Sequence, residues 1–318
     1  MRLLFAGTPD VAVPSLQALI DSPHEVVAVL TQPDAPTGRG RRLRPSAVAQ
    51  AAKEAGIPVL KPERIADAAD DLRALEIDAA VVVAYGQLLR REVLEIPRHG
   101  WFNLHFSLLP AYRGAAPVQR AVQDGLTTTG LSIFRLDEGL DTGDVALTAE
   151  CSIAPDETAG DLLDRLAVDG GAALVRVMDE IAAGHLTLTP QAADGVSHAA
   201  KLTAEDQAID FTADAAAVSA RIRAVAPKPG AFAYLGGQRH KLLGVGTDIA
   251  PDGMRLEPGG IGATKRAVFV GTGTGPIHLT RIGPPGKQAM NAADWARGAR
   301  LDDASRLTTT PEASGEQA

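Results

Sequence analysis

Short runs of β-branched and apolar residues alternate with helical patterns over the first 185 residues. The stretch Ala79–Ala84 has no polar position, as expected of a central strand that is covered on both faces. The predicted strands of this half are Arg2–Ala6, Val26–Thr31, Ala79–Ala84, Trp101–His105 and Leu131–Leu136. This alternation predicts an α/β domain over residues 1–185, built on a mostly parallel sheet with helices on its faces.

Both periodicities are lost between residues 186 and 205, and we interpret this segment as a linker. A short helix follows at Ala215–Val225, and the pattern then changes to strands separated by glycine-rich turns. The predicted strands of this half are Ala231–Leu235, Lys241–Val245, Ala267–Val270 and His278–Ile282. Short strands at this spacing indicate a small barrel, so residues 206–307 are expected to form a second domain. Residues 308–318 are expected to be a disordered tail.

The composition excludes several classes of protein. The apolar run at the N-terminus ends at Gly7, which is too short for a signal peptide, and no stretch of about 18 apolar residues follows. The single cysteine, Cys151, rules out an internal disulfide framework, so we expect a reducing cytoplasm. The seven histidines show no ligand spacing, so we expect no metal.

A net charge of −8 argues at first against a nucleic-acid partner, but the charge is uneven. Residues 201–318 carry 14 Lys and Arg against 12 Asp and Glu, so this half is slightly basic. Within the acidic first half, a tight basic cluster lies at Arg39, Arg41, Arg42 and Arg44. Its segment, Gln32–Pro45, has no strand or helix pattern, and a loop of about 14 residues is uncommon in a compact domain unless it has a function. Local fields steer polyanions, so Arg39, Arg41 and Arg42 are candidate phosphate contacts.

The strongest candidate for chemistry is the end of the predicted strand Trp101–His105. Asn103 and His105 are two residues apart, so their side chains project from the same face. Open α/β sheets place their ligands at such strand ends. Asp141 and Asp144 lie on the glycine-flanked loop 139–144, and a carboxylate there can reach His105 and raise its pKa. We prefer Asp141 for this role, although spacing alone cannot separate the two. A donor, a base and a carboxylate together suit acyl transfer.

Each of these features also has a purely structural interpretation. A single Asn or His in a strand is usually bonded to a neighbouring loop, and an aspartate between glycines usually caps a turn. A run of arginines is most often a solvated face. The segment directly after the strand consists of Ser107, Leu108, Leu109 and Pro110, and its backbone can present N–H and C=O groups to a planar heterocycle.

The whole pattern resembles the folate-dependent formyltransferases. The element Asn103-x-His105-x-Ser107-Leu108-Leu109-Pro110 is specific to that family. The arginine segment and the C-terminal barrel are similar to the branch that acts on tRNA. The remaining matching motifs are Phe5 to Asp10, Thr31 to Asp34 with Gly38-Arg39-Gly40, Val83 to Gly86, Tyr112 to Pro117, Leu140 to Gly143 and Ile222 to Ala224. One departure is Phe106, where the family often has glycine, and we expect altered packing there without loss of the chemistry.

The resemblance implies a Rossmann-like formyltransferase domain followed by an OB-like barrel that binds tRNA. It implies 10-formyltetrahydrofolate as the formyl donor and the α-amino group of methionine on initiator tRNA as the acceptor. Carried over by position, Asn103, His105 and Asp141 form the catalytic set, and Ser107, Leu108, Leu109 and Pro110 line the folate site. Arg39 would lie in the loop that enters the acceptor stem. The family also suggests a monomer.

Three alternatives remain open at this point. The same N-terminal chemistry can serve a formyltransferase that acts on a sugar amine or another small amine. It can also serve a hydrolase that releases free formate from the formylated folate. A protein that only binds RNA could use the arginine segment and the barrel without any chemistry. The arginine segment favours a tRNA acceptor over a small amine, and the Asn103, His105 and Asp141 set disfavours pure binding.

Overall fold

The computed structural model describes residues 1–37 and 42–311. Their contacts divide the chain into two compact units. The first comprises residues 1–117, 130–151 and 163–199, and the second comprises residues 118–129, 152–162 and the chain from Ala200 onward. In these described residues, no helix is long and apolar enough to cross a membrane.

Eight α-helices lie within the described residues, together with three short 3₁₀ turns. The helices are α1 (Val13–Ile20), α2 (Ala47–Glu54), α3 (Ala69–Ala74), α4 (Arg91–Leu94), α5 (Pro117–Gln123), α6 (Ala159–Ala182), α7 (Ala215–Val225) and α8 (Ala292–Gly298). The strands of the first half are β1 (Arg2–Gly7), β2 (Glu25–Leu30), β3 (Ala35–Thr37), β4 (Arg42–Arg44), β5 (Val59–Leu60), β6 (Ala79–Val83), β7 (Trp101–His105), β8 (Arg113–Gly114), β9 (Thr128–Arg135) and β10 (Val145–Ser152). The remaining strands are β11 (His198–Ala199), β12 (Ala231–Leu235), β13 (Gln238–Gly246), β14 (Ile261–Ala263), β15 (Val268–Val270), β16 (Ile277–Gly283) and β17 (Met290–Asn291).

The main sheet has seven strands in the order β10-β9-β7-β6-β1-β2-β5. The strands from β7 to β5 are parallel, whereas β9 pairs antiparallel to β7. All five residues of β6 are buried, as the unbroken apolar pattern of this central strand predicts. This Rossmann-like arrangement confirms the predicted α/β fold. Since β6 and β7 are neighbouring parallel strands, their carboxyl ends lie at one edge of the sheet.

The segment Gln32–Pro45 contains two short strands, so the prediction that it has no strand or helix was wrong. Residues Ala35–Thr37 and Arg42–Arg44 pair antiparallel as β3 and β4. The pattern was missed because both strands have only three residues, and the exposed side chains of β4 show no hydrophobic alternation. The candidate residues Arg39 and Arg41 lie outside the described residues. Arg42 is exposed at the start of β4.

The second unit contains an antiparallel sheet curled into a half-barrel, in the order β12-β13-β16-β15-β14 with β17 on β16. Its core includes Val218 and Ile222 of α7, Leu279 of β16 and Trp295 of α8. This arrangement confirms the predicted small barrel. The chain stays ordered past Leu307, because Thr308 exchanges backbone hydrogen bonds of 2.8 Å with Tyr234 and the Thr309 hydroxyl donates to the Ile209 carbonyl. The start of the predicted disordered tail at 308 was therefore wrong, and residues 312–318 lie outside the described part of the chain.

The first part of the predicted linker is fastened to the first unit. Thr189 forms a two-way backbone bridge with Val145. Further along, β11 pairs parallel to β8 through His198 and Ala199. Backbone pairing of this kind requires no regular spacing of apolar residues. The sequence pattern therefore cannot distinguish this hydrogen-bonded segment from a flexible linker.

Candidate active site

Asn103 and His105 lie near the carboxyl end of β7 and line one cavity of about 460 Å³ in the first unit. Asp141 lines the same cavity, so the structure brings together the three residues that the sequence analysis selected. Among the described residues, the Asn103 carboxamide makes no hydrogen bond to protein and lies half-buried in the cavity lining. Its N–H₂ group is therefore available to a bound molecule. Phe106, the departure from the family pattern, is buried and also lines the cavity.

His105 is held by a backbone carbonyl. Its Nε2 lies 2.9 Å from the Tyr112 carbonyl oxygen, and a carbonyl only accepts, so Nε2 carries the proton. Neutral His105 then has its lone pair on Nδ1, which lies 3.8 Å from Asp141 Oδ2. The raised pKa that the sequence predicts for His105 is wrong. Burial of the ring lowers the pKa of His105 below its ordinary 6.5, and this outweighs the opposing effects of the Asp141 charge and the Tyr112 bond.

Asp141 is fixed by the neighbouring backbone. Its Oδ2 accepts a hydrogen bond of 2.7 Å from the Gly114 N–H, and its side chain is only 13 % exposed. Asp144 instead lies 3.9 Å from Arg135, and its side chain is 40 % exposed. Of these two aspartates, the structure therefore directs Asp141 toward His105.

Three residues around this cavity have a backbone conformation that side chains disfavour. Ala84, Tyr112 and Asp141 have φ angles of +48°, +59° and +54°. Each such residue costs on the order of 1–3 kcal/mol and persists only where the surroundings hold it. Ala84 and Asp141 lie in the cavity lining, and Tyr112 supplies the carbonyl that holds His105. Strain of this kind clusters at functional sites, which supports the assignment of this cavity as the active site.

Two chain segments contribute much of the cavity lining. We name residues 84–89 the tyrosine wall and residues 136–141 the aspartate wall. Leu88 of the tyrosine wall is 76 % exposed and Leu140 of the aspartate wall is 61 % exposed, so each wall presents an apolar side chain at its surface. Tyr85 is fully buried beneath its wall, and burial raises the pKa of its hydroxyl to about 12.

The tyrosine wall is tied to the ends of neighbouring strands. The Tyr85 carbonyl accepts hydrogen bonds from Thr8 Oγ1 at 2.9 Å and Gln32 Nε2 at 3.1 Å. The Gln87 side chain accepts from the Ile65 N–H at 2.8 Å and donates to the carbonyls of Pro62 and Glu63, both at 3.2 Å. No pattern in the sequence indicates a role for these residues, although Thr8, Gln32 and Tyr85 lie inside motifs that carry the family resemblance.

The segment Ser107, Leu108, Leu109 and Pro110 is not among the lining of this cavity. The Ser107 side chain is fully buried and donates to the Ala111 carbonyl at 2.6 Å. The Ser132 hydroxyl donates to the Ser107 carbonyl and accepts from the Leu109 N–H, which fixes the segment against β9. Its role in folate binding stays a prediction.

The formyl transferase family model matches residues 1–178, and the model of the formyl transferase C-terminal domain matches residues 201–300. The chain is 56 % identical to the methionyl-tRNA formyltransferase of Thermobifida fusca over 309 residues, which covers 96 % of this chain and 99 % of the relative. It is 50 % identical to the methionyl-tRNA formyltransferase of Mycobacterium avium, over 97 % of this chain and 99 % of the relative. Among solved structures, an N-formyltransferase from Helicobacter canadensis has the same fold, with a TM-score of 0.64, 16 % identity and coverage of 91 % of this chain and 99 % of that chain.

The fold and the matched regions define a formyltransferase. Within that class, the near full-length matches at 50–56 % identity show that the chain belongs to the methionyl-tRNA formyltransferase family.

Proposed function

We propose that this enzyme transfers the formyl group of 10-formyltetrahydrofolate to the α-amino group of methionine on initiator methionyl-tRNA, and so acts in translation initiation. One observation carries the proposal at the level of chemistry. A free carboxamide, a neutral imidazole and a carboxylate converge on one cavity in a chain of this family. The acceptor assignment rests on the relatives at 50–56 % identity.

We propose that the cavity receives the planar end of a folate. Its volume of about 460 Å³ lies within the range of small-molecule sites. Leu88 and Leu140, one from each wall, contribute apolar side chains to the lining. Ser107, Leu108, Leu109 and Pro110, which lie outside the lining of this cavity, are proposed to line a further part of the folate site. No metal takes part in the proposed reaction.

Asn103 stabilises the charge that develops during the transfer. The methionine amine forms a C–N bond to the formyl carbon, and negative charge builds on the formyl oxygen. The Asn103 N–H₂ group donates to that oxygen, and one such donor is worth roughly 2.7–4 kcal/mol. No covalent bond to the enzyme is formed.

His105 moves the proton. Because Nε2–H is bound to the Tyr112 carbonyl, the unprotonated Nδ1 is the atom that can take a proton from the attacking nitrogen. The imidazolium that forms is stabilised by Asp141 Oδ2, 3.8 Å away. The proton then passes to the folate nitrogen as its bond to the formyl carbon breaks. The lowered pKa of His105 keeps the ring neutral and ready to accept a proton at pH 7.

The acceptor tRNA requires surface beyond this cavity. Arg39, Arg41 and Arg42 are proposed to contact the phosphate backbone of the acceptor stem. Residues 206–307 are proposed as the tRNA-binding domain, after a catalytic domain at 1–185. We propose that the protein works in the cytoplasm, where its tRNA substrate is found, as a monomer.

One assay tests the function against its alternatives. The purified enzyme is given 10-formyltetrahydrofolate labelled in the formyl group, together with initiator methionyl-tRNA and a panel of sugar amines. We expect the label on methionyl-tRNA. Label on a small amine, label released as formate, or no transfer would each contradict the proposal. In the same assay, Arg39→Ala is expected to weaken tRNA use while folate binding is unchanged, and equal damage to both would contradict the role of Arg39.

A further inference from the structure

The aspartate wall is held by a residue that lies about 50 positions further along the chain. Gln191 stands in the segment that the sequence pattern assigned to a linker. Its Nε2 donates to the Asp141 carbonyl at 2.8 Å and to the Gly143 carbonyl at 2.9 Å. These two carbonyls bracket the turn that presents the Asp141 carboxylate to His105.

The amide oxygen of Gln191 is also hydrogen-bonded. Its Oε1 accepts from Arg113 Nε at 3.2 Å and from Arg113 Nη2 at 2.6 Å. Two N–H groups and two lone pairs are all that a carboxamide offers, so all four are used. The opposite orientation would aim the amide oxygen at two carbonyls and its N–H₂ at a guanidinium, so the contacts fix the side chain in one orientation.

Arg113 lies between the two residues that bond His105 and Asp141. Gly114, the next residue, donates to Asp141 Oδ2, and Tyr112, the residue before, accepts from His105. The same stretch is bound from the other side by Ser197, whose hydroxyl accepts from the Tyr112 N–H at 2.8 Å and whose carbonyl accepts from the Arg113 N–H at 2.9 Å. Residues 189–199, which we name the strap, therefore bind both the loop that carries Asp141 and the segment whose Tyr112 carbonyl holds His105.

We propose that Gln191 is a positioning residue for formyl transfer, which sets the distance between Asp141 and His105 by joining the aspartate wall to Arg113. It touches no reacting atom and acts through Asp141. The inference rests on the proposed function, because it concerns the group that stabilises the protonated imidazole. Gln191 holds Asp141 in its unfavourable φ of +54° by bonding the carbonyls of Asp141 and Gly143.

A double-mutant cycle separates this role from a merely structural one. Gln191→Ala is expected to lower kcat at least about tenfold, because a displacement near 1 Å at a reacting group can cost about a hundredfold. In an Asp141→Ala background the same change is expected to alter kcat less than about twofold, since the residue it positions is gone. Single-turnover transfer to methionyl-tRNA measures all four proteins, and melting curves report whether each is folded.

Two further variants make the test strict. Gln191→Glu keeps the acceptor for Arg113 but sets a carboxylate against two carbonyls, so it should fold and still lose activity. Gln17→Ala removes a glutamine whose amide bonds only Asp21 on the exposed face of α1, and should leave kcat unchanged. Equal effects of Gln191→Ala in both backgrounds, or full activity of the folded Gln191→Glu protein, would overturn the inference. Failure of the wild type to transfer formyl, or full activity of Asp141→Ala alone, would instead contradict the proposed function.

Discussion

The two walls of the cavity are held in different ways. The tyrosine wall is bonded by Thr8 and Gln32, which follow the parallel strands β1 and β2. Its own Gln87 bonds Ile65 and the carbonyls of Pro62 and Glu63, which follow β5. The aspartate wall follows the antiparallel strand β9 and is bonded by Gln191 of the strap. The first wall is thus fixed by the sheet edge itself, and the second by chain that returns to it from much later in the sequence.

This difference separates two tasks. A wall that is bonded to the strand ends is held by the sheet, which suits a surface that receives a ligand of constant shape. The aspartate wall carries Asp141, whose distance to His105 decides how well the protonated imidazole is stabilised. Its carboxylate is bonded by the Gly114 N–H, and its backbone is bonded by the Gln191 carboxamide. We therefore expect substitutions that disturb the aspartate wall to lower kcat, and substitutions that disturb the tyrosine wall to raise the KM for folate.

The largest effect is expected for the reacting groups themselves. Asn103→Ala and Asp141→Ala should each lower turnover at least about a hundredfold, because each removes an interaction that forms with the charge of the transition state. Initial rates of formyl transfer to methionyl-tRNA measure this effect. Near-normal turnover in either folded variant would show that the residue has no role in the mechanism. For Asp141, it would also contradict the proposed difference between the two walls.

A smaller effect is expected from pH. The pKa of His105 is lowered by burial, so the ring stays neutral until the pH falls below that lowered value, and kcat/KM should then drop tenfold for each further pH unit. The unfolded chain takes up this proton already near pH 6.5, so the free energy of unfolding should also decrease as the pH falls below 6.5. A rate profile from pH 5 to 8 tests the first expectation, and denaturant titrations at the same pH values test the second. A rate that falls from well above pH 6.5 would contradict the direction of the shift.

The smallest effect is expected on the tyrosine wall. Gln87→Ala removes the bonds to the Ile65 N–H and to the carbonyls of Pro62 and Glu63, and should raise the KM for folate about threefold to tenfold with kcat within about twofold. Steady-state kinetics with varied folate measure both constants. Gln50→Ala, which removes only an exposed bond to Glu54, is the matched control. A loss that appears in kcat alone would show that both walls serve the proton transfer.

Much of this site was predictable because its residues lie on regular elements. Strand β7 has the bounds that its pattern predicts, and the two-residue spacing of Asn103 and His105 places both in the cavity lining. The glycine-flanked loop made Asp141 a sound candidate, and the structure separates it from Asp144.

The rest depends on contacts that leave no periodic trace. The carbonyl that fixes the tautomer of His105 belongs to the backbone of Tyr112, so the residue type at that position does not predict the hydrogen bond. The sign of the His105 pKa shift depends on how burial and the Asp141 charge balance, which requires the folded geometry. Gln191 was hidden because the strap contains no helix and only two strand residues.

The strap also bears on how segments of related enzymes can be exchanged. A chimera joined at residue 185 would pair the catalytic part of one relative with the strap of another, and the Gln191, Arg113 and Asp141 contacts would then cross between two parents. A junction after Ala199 keeps these three residues from a single parent, together with the pairing of β11 on β8. Chimeras within this family should therefore tolerate the later junction better. Residues 189–199 should be taken from the same parent as the catalytic part.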